Sequence, residues 1–132
     1  MTSTFLNFTT SFRDTSAGTI VCAGVAGAIA IAAKRAGDLT ARYGGEEFAV
    51  VLPNTSAEGA NVVAREICDG IASLKLPHAR SSICPYVTLS CGSATGIPSA
   101  QESPDTLILG ADSALYQAKT QGKNRICHAS SN

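Results

Sequence analysis

Two strand-like runs that meet at a pair of glycines constrain the fold of this chain more than any other feature of its sequence. The segment consists of the run 38–43, the residues Gly44-Gly45-Glu46-Glu47 and the apolar run 48–52. Paired glycines supply the positive φ angles that a tight primed turn needs. They also remove side-chain bulk, so that a ligand can approach the backbone closely. The sequence therefore predicts a β-hairpin with two carboxylates at its tip.

The two carboxylates indicate a possible chemistry for this tip. Mg²⁺ prefers carboxylate oxygen and usually keeps waters and substrate phosphates as its remaining ligands. A glycine-lined tip that carries Glu46 and Glu47 therefore suits phosphoryl transfer. From these residues alone an alternative stays open, in which the segment is an ordinary hairpin with solvated acidic side chains.

Composition and charge exclude several classes of protein. The length of 132 residues predicts one domain. The formal net charge is zero, so nucleic-acid binding has no electrostatic support. Five scattered cysteines lack any C-x-x-C pair, which disfavours a zinc site or a disulfide framework and favours reduced thiols in a cytoplasmic protein. The uncharged stretch 17–33 is shorter than the roughly 20 apolar residues of a membrane span. We therefore expect no membrane contact.

The remaining pattern predicts three helices and a further strand. Small apolar residues predict a buried helix over 21–35 that ends at Gly37. A second helix is predicted over 56–74, with Ser56 as its N-cap and with Val62, Val63, Ile67 and Ile71 in the core. Gly92 interrupts a predicted strand over 87–95, which indicates that another backbone or a ligand approaches there. Pro104 is expected to open the last helix, which faces the sheet with Leu107, Ala111, Ala114, Leu115 and Ala118.

Three motifs together resemble one known family. They are Arg42-Tyr43-Gly44-Gly45-Glu46-Glu47-Phe48, the strand Thr88-Leu89-Ser90-Cys91-Gly92-Ser93-Ala94, and the run from Ala111-Asp112-Ser113-Ala114-Leu115-Tyr116 to Gly122-Lys123-Asn124-Arg125. They look like the signature hairpin, the central strand and the C-terminal ending of the GGDEF domain, the bacterial diguanylate cyclase family. The resemblance covers residues 21–125.

The resemblance implies a fold and an activity. The fold is α+β, with a mostly antiparallel central sheet flanked by helices, as in nucleotide-cyclase and polymerase palm domains. Members condense two GTP molecules into cyclic di-GMP and release pyrophosphate, with Mg²⁺ or Mn²⁺, and catalysis needs a homodimer because each protomer holds one GTP. By this resemblance Glu46 ligates the metal and Glu47 assists the metal or the activation of the hydroxyl. Gly44 and Gly45 bind the nucleotide with Lys119 and Lys123, which contact its phosphates.

A second site is implied by Arg35-Ala36-Gly37-Asp38, five residues ahead of the glycine pair. In the family an Arg-x-x-Asp at this offset is the inhibitory site that binds the product, cyclic di-GMP. Guanidinium offers a planar fork to guanine O6 and N7 or to phosphate oxygens. Arg65 is a weaker candidate for the second arginine that the family often adds. From the residues alone, the alternative is a local surface salt bridge between Arg35 and Asp38.

The N-terminal segment departs from the family pattern. The first strand of the family normally ends in an Asp-x-Asp metal site and is followed by guanine-binding residues, but here only Leu6, Asn7 and Phe8 faintly resemble it. An alternative reading frame takes the last base of each codon with the first two bases of the next. From Met1 onward, this frame permits the residues that the family has in this segment, at the spacing that the family has. We hypothesise that this segment is degenerate or frame-shifted, which the coding DNA tests.

This departure leaves three hypotheses about the chain. The predicted division is a degenerate segment 1–20, an incomplete GGDEF domain 21–128 and a tail 129–132. In the first hypothesis the chain is a diguanylate cyclase. In the second it is a catalytically inactive module that binds cyclic di-GMP as a sensor through Arg35 and Asp38. In the third it is a fragment that cannot fold because its central strand is lost.

Overall fold

The sheet is built around a strand from the N-terminal segment. In the computed structural model, which describes residues 2–10, 18–42, 47–76, 86–97 and 103–129, five strands lie in the order β2-β3-β1-β4-β5. The elements are β1 (Ser3–Thr10), α1 (Gly18–Ala32), β2 (Leu39–Arg42), β3 (Glu47–Leu52), α2 (Ala57–Leu74), β4 (Leu89–Gly96), α3 (Pro104–Thr120) and β5 (Ile126–His128). All pairings are antiparallel except that of β4 with β5. The α+β fold with a mostly antiparallel sheet is therefore confirmed.

The central strand is present, which corrects the expectation that it is lost. β1 pairs with β3 on one side and with β4 on the other, and all of its residues after Ser3 are buried. Side chains alternate along a strand, so Leu6 and Phe8 join the larger core cluster with α1 and α2. Phe5 joins a smaller cluster with Ala111 of α3. The sheet thus lies between α1 and α2 on one face and α3 on the other.

The predicted hairpin is confirmed in its two strands. β2 and β3 pair antiparallel from Leu39 opposite Val51 to Arg42 opposite Phe48. Phe48 is buried, as are Val50 and Leu52, because these three alternate positions face α1 and α2. The turn itself, residues 43–46, lies outside the described residues, so the primed-turn geometry stays a prediction.

The first helix differs from the sequence expectation at its C-terminal end. α1 ends at Ala32 rather than at Arg35, and Gly37 is not its cap. The physical reason is a competing turn: the carboxylate of Asp38 accepts from the backbone N–H of Arg35 at 3.1 Å. The backbone N–H of Asp38 in turn donates to the carbonyl of Arg35 at 3.0 Å. Asp side chains that bond to nearby backbone in this way favour turns over helix.

The second helix confirms its predicted cap and corrects one core residue. The hydroxyl of Ser56 accepts from the N–H of Gly59 at 3.2 Å, which satisfies one of the free donors at the start of α2. Ile67 and Ile71 are fully buried, but Val62 is exposed. Val62 lies outside the stripe because Ala60, Ala64, Ile67 and Ile71, at spacings of three and four, define the buried face.

The third helix approaches the sheet closely at Gly92. Pro104 occupies its first turn, as the sequence predicts, and Ser103 is its N-cap. A Cβ atom at Gly92 would lie 2.8 Å from the Cα of Leu115 and closer still to the carbonyl oxygen of Ala111. The predicted close approach is therefore that of the α3 backbone. In the part of the chain that the structure describes, no helix is long and apolar enough to span a bilayer.

Candidate functional site

A polar cleft opens between the start of β3, the middle of β1 and one face of α3. It has a volume of about 270 Å³. Its lining combines two carboxylates, an amide, a phenol, an ammonium group and one apolar side chain. These belong to Asn7, Glu47, Asp112, Leu115, Tyr116 and Lys119. Oppositely charged groups around one open cleft are typical of a site that binds a polar ligand.

The strand register fixes the order of these groups along the cleft. Asn7 lies opposite Gly92, which packs against Ala111 and Leu115 in the middle of α3. Two residues further along β1, Thr9 lies opposite Glu47 on one side and Ser90 on the other. The hydroxyl of Ser90 accepts from the N–H of Asn124, just beyond the end of α3, at 3.1 Å. Glu47 therefore lies towards the C-terminal end of α3, and Asn7 lies towards its middle.

Asn7 and Asp112 form a hydrogen-bonded pair at the middle of α3. The side-chain amide of Asn7 donates to Oδ1 of Asp112 at 2.5 Å. Asn7 is 3% exposed, whereas Asp112 is exposed. A bond from a buried amide to a carboxylate is stronger than one between neutral groups, so it holds the Asp112 side chain in one orientation.

Glu47 and Lys119 lie towards the other end. Glu47 is half-buried at the start of β3, directly after the predicted hairpin tip, and Lys119 is half-buried in the last turn of α3. Tyr116 lies one turn before Lys119 and is 69% exposed although it lines the cleft. Two residues that different motifs of the sequence nominated, Glu47 and Lys119, are thus brought to one cleft.

The other residues predicted for this site are placed less directly. Gly44, Gly45 and Glu46 lie outside the described residues. Lys123 is exposed in the turn after α3, with a φ of 62°, and does not line the cleft. Its backbone N–H donates to the carbonyl of Ala118 at 2.9 Å, which closes the end of the helix.

The predicted product site forms a compact local network. Nε of Arg35 lies 3.7 Å from Oδ1 of Asp38, whose side chain is 3% exposed, while the Arg35 side chain is 55% exposed. Arg35 also donates to the hydroxyl of Thr55 and, at 3.4 Å, to the carbonyl of Pro53. Arg65 is exposed on α2. Arg35 and Asp38 are adjacent, as the motif predicts, and the Arg35 side chain is exposed.

Two cysteines of the described residues, Cys68 and Cys91, have thiols whose surroundings disfavour ionisation. Burial raises the pKa of the Cys68 thiol to about 12, with the neighbouring Asp69 carboxylate adding to the effect. Burial also raises the pKa of Cys91 well above its ordinary value. A neutral thiol is a poor nucleophile and metal ligand. Within the same residues no three Asp, Glu, His or Cys side chains cluster as metal ligands.

Comparison with known proteins decides the family. A family model described as "Diguanylate cyclase, GGDEF domain" matches residues 15–125. The chain belongs to the GGDEF domain family. Among curated relatives, this GGDEF domain is 36% identical over 130 residues to Diguanylate cyclase A of Treponema denticola, covering 96% of the chain and 34% of the relative. It is 38% identical over 93 residues to Response regulator PleD of Caulobacter vibrioides, covering 70% of the chain and 20% of that protein.

Solved structures agree with this assignment. The GGDEF domain of DgcB from Caulobacter crescentus, in complex with c-di-GMP, superposes with a TM-score of 0.83 at 30% identity. That superposition covers 98% of this chain and 79% of the solved one. Among the curated relatives, by contrast, this chain spans only about a third or less of the length of the first ones.

Sequence reasoning missed three residues of the cleft as functional candidates: Asn7, Asp112 and Tyr116. Asp112 and Tyr116 lie inside the motif that runs from Ala111 to Arg125. Asp112 and Tyr116 are four residues apart and Tyr116 and Lys119 are three apart, which puts all three on one helix face. That spacing was the available signal. Asn7 carried no comparable signal, because its place opposite α3 depends on strand pairing.

Proposed function

We propose that this GGDEF domain is a diguanylate cyclase-type domain that condenses two GTP molecules into cyclic di-GMP with release of two pyrophosphates. The single observation that carries the proposal is the shared cleft of Glu47 and Lys119. The ammonium at the helix end is complementary in charge to a triphosphate, and the carboxylate beside the hairpin is complementary to the divalent cation that accompanies a triphosphate. Phosphoryl transfer depends mainly on such positioning and charge stabilisation.

In the proposed mechanism Lys119 binds phosphate oxygens of GTP and neutralises the charge that develops on the departing pyrophosphate. Lys123 adds a second positive charge from the turn after α3. Gly44 and Gly45 let the triphosphate approach the hairpin backbone. The 3′-hydroxyl of one GTP attacks the α-phosphorus of a second GTP held by another protomer. The bond from the α-phosphorus to the bridging oxygen of the pyrophosphate breaks, and the hydroxyl proton passes to the carboxylate of Glu47.

The donor set at this end of the cleft fits Mg²⁺ or Mn²⁺. Glu47 offers a half-buried carboxylate, and the carboxylate of Glu46 precedes it in the chain. Mg²⁺ is commonly held by one or two carboxylates, with substrate phosphates and waters completing its shell. When bound there, the ion neutralises phosphate charge and lowers the pKa of the attacking hydroxyl.

Each cleft would hold one GTP, so the proposal requires a two-fold dimer that brings two clefts face to face. The reaction then needs two bonds, one formed at each cleft, before the cyclic product is complete. A monomer would bind GTP without turning it over, which makes the rate per protomer depend on protein concentration.

The test is GTP turnover by the purified chain with Mg²⁺, followed by chromatography of cyclic di-GMP. We expect product from the unaltered chain and a loss of about 100-fold or more for Lys119→Ala, since one charge-stabilising group contributes about that much. Lys75→Asn is the matched control. It removes a positive charge at the end of α2, on the other face of the sheet, and Asn tolerates the left-handed φ of 48° there. Equal activity of Lys119→Ala and the unaltered chain would contradict the proposal.

A second candidate function is supported by the product-site geometry. The exposed side chain of Arg35, beside the carboxylate of Asp38, can bind a guanine or a phosphate of cyclic di-GMP. A folded chain without turnover that binds cyclic di-GMP in a calorimetric titration would be a sensor module rather than an enzyme. A folded chain that neither turns over GTP nor binds cyclic di-GMP would exclude both functions.

A further inference from the structure

The sheet has an open edge at β2, which takes no part in the reaction described above. In the described part of the chain, β2 has one strand neighbour, β3, and the two strands pair antiparallel. In such a pair, alternate residues exchange backbone hydrogen bonds with the partner strand, and the residues between them direct their N–H and C=O groups away from it. A row of outward-directed backbone groups is a template for a further strand.

One side of this edge strand is apolar. Leu39 lies opposite Val51 and Ala41 lies opposite Ala49. Ala49 and Val51 belong to the smaller cluster on the α3 face of the sheet, and residues directly opposite each other share a face, so Leu39 and Ala41 lie on that face too. Leu39 is nevertheless 65% exposed, because α3 packs mainly on β4 and β1. An apolar side chain on an added strand would therefore be buried against Leu39.

The other side of the edge strand is basic. Arg42 lies opposite Phe48, which faces α1 and α2, so Arg42 lies on that face of the sheet. Between the end of α1 and the end of β2, the exposed charged residues are Lys34, Arg35 and Arg42, all of them cations. The one acid there, Asp38, has a side chain that is 3% exposed and accepts from the N–H of Arg35. Exposed charges act over about 8 Å at physiological salt, so this surface favours acidic groups.

We propose that β2 is a docking site for an extended segment of a partner protein in which apolar and acidic residues alternate. The segment adds to the sheet beside β2 through backbone hydrogen bonds. Because successive side chains of a strand point to opposite faces, its apolar residues pack beside Leu39 and Ala41 while its carboxylates lie on the side of Arg42. A second copy of β2 is a poor occupant, because it would bring two positively charged edges together.

The test is a fluorescence anisotropy titration of the full chain with a fluorescein-labelled peptide of alternating valine and glutamate. Two matched peptides separate the contributions to binding. One replaces each glutamate by lysine, which turns attraction into repulsion. The other keeps the side chains but carries N-methyl groups on alternate backbone amides, which removes the donors to β2. We expect both to bind at least about 10-fold more weakly than the acidic peptide, the effect of losing two or more hydrogen bonds or charge contacts.

Two variants of the chain locate the binding surface, and each has a matched control. Arg42→Gln should weaken the acidic peptide about 3-fold, the effect of one screened ion pair. Arg125→Gln removes an exposed cation beside β5, the opposite edge strand, and should leave the affinity unchanged. Leu39→Thr should weaken the peptide about 5-fold through lost apolar contact. Ile97→Thr removes an apolar side chain that is 67% exposed just after β4, and should have no effect.

Amide hydrogen exchange, followed by NMR, reports whether the peptide forms a strand. We expect new protection of alternate amides in β2 when the acidic peptide is bound, and a thermal melt of each variant establishes that it is folded. That protection, together with the two losses of affinity in Arg42→Gln and Leu39→Thr, supports the proposal.

Four results would overturn the docking site. Unchanged affinity of the N-methylated peptide rules out strand addition, and unchanged affinity of the lysine peptide rules out the acidic preference. Absence of binding by every peptide shows that the edge is closed to added strands. Protection of β2 that rises with protein concentration, with a dimer in sedimentation, shows that a second copy occupies the edge. None of these results bears on GTP turnover, since Leu39, Ala41 and Arg42 have no role in the proposed reaction.

Discussion

At the scale of single residues, two of the three threonines of the central strand have opposite surroundings. Thr9 is 5% exposed, and its hydroxyl has no hydrogen-bond partner among the described residues. Thr4 is fully buried, and its hydroxyl donates to the carbonyl of Thr55 at 3.0 Å and lies 2.8 Å from the hydroxyl of Thr95. The same side chain is therefore unsatisfied at one end of the strand and satisfied at the other.

Thr9→Val should stabilise the protein by about 1 kcal/mol, because it replaces an unpaired buried hydroxyl by a methyl group of similar size. The free energy of unfolding from urea denaturation measures this. Thr4→Val is the matched control, and it should destabilise by about 1–3 kcal/mol because it leaves the carbonyl of Thr55 without its side-chain donor. A destabilising effect of Thr9→Val would show that the Thr9 hydroxyl is satisfied.

At the scale of elements, the contact between α3 and β4 positions the cleft. Gly92 allows the backbone of α3 to lie directly on the strand, and this contact sets the height of Asp112 and Lys119 relative to β1. The backbone of α3 at Ala111 and Leu115 leaves no room for a side chain at Gly92. A side chain there would have to displace the helix backbone, which is less adaptable than a flexible side chain.

Gly92→Ala should therefore destabilise the fold by about 3 kcal/mol or more and weaken nucleotide binding in the molecules that remain folded. Thermal unfolding with and without GTP measures both effects. Gly27→Ala on α1 is the control, since an added Cβ there meets no atom within 4 Å. It should be neutral or stabilise by up to about 1 kcal/mol, the difference in helix propensity between the two residues. A neutral Gly92→Ala variant would mean that α3 can move away from β4.

At the scale of the whole molecule, a chain of hydrogen bonds links the Arg35 turn to the centre of the sheet. Arg35 donates to Thr55, whose backbone N–H donates to the carbonyl of Thr2 at 2.8 Å. The Thr55 carbonyl accepts from Thr4, which contacts Thr95 on β4. The candidate product site is therefore connected to β1, the strand that carries Asn7.

Arg35→Ala should abolish cyclic di-GMP binding, because it removes the exposed guanidinium, and should lower stability by about 1 kcal/mol through the lost bond to Thr55. Calorimetric titration and a urea melt measure the two effects. Thr55→Val removes the same internal bond but no ligand-binding group, so it should lose stability and keep the affinity. Retained binding in Arg35→Ala would place the cyclic di-GMP site elsewhere.

The sequence by itself determined the elements whose signals are local. The β2–β3 hairpin, the Ser56 cap of α2 and the start of α3 at Pro104 follow from turn, capping and periodicity patterns within a few residues. The predicted C-terminal end of α1 was wrong because a turn formed by the Asp38 side chain competes with the helix. The prediction that Val62 lies in the core was wrong, because the buried face of a helix depends on the direction from which the sheet approaches.

Only the tertiary structure decided that β1 lies at the centre of the sheet and in which order the site residues lie along the cleft. β1 reads as Ser-Thr-Phe-Leu-Asn-Phe-Thr-Thr, a run without strict alternation, and it is buried because two strands and helices on both faces cover it. Glu47 and Lys119 could each be nominated from a motif, but their shared cleft follows from strand register and from the close packing at Gly92. The contact of Asn7 with Asp112 joins residues 105 positions apart. Such a contact leaves no local pattern, because it forms only after β1 has paired and α3 has packed against the sheet.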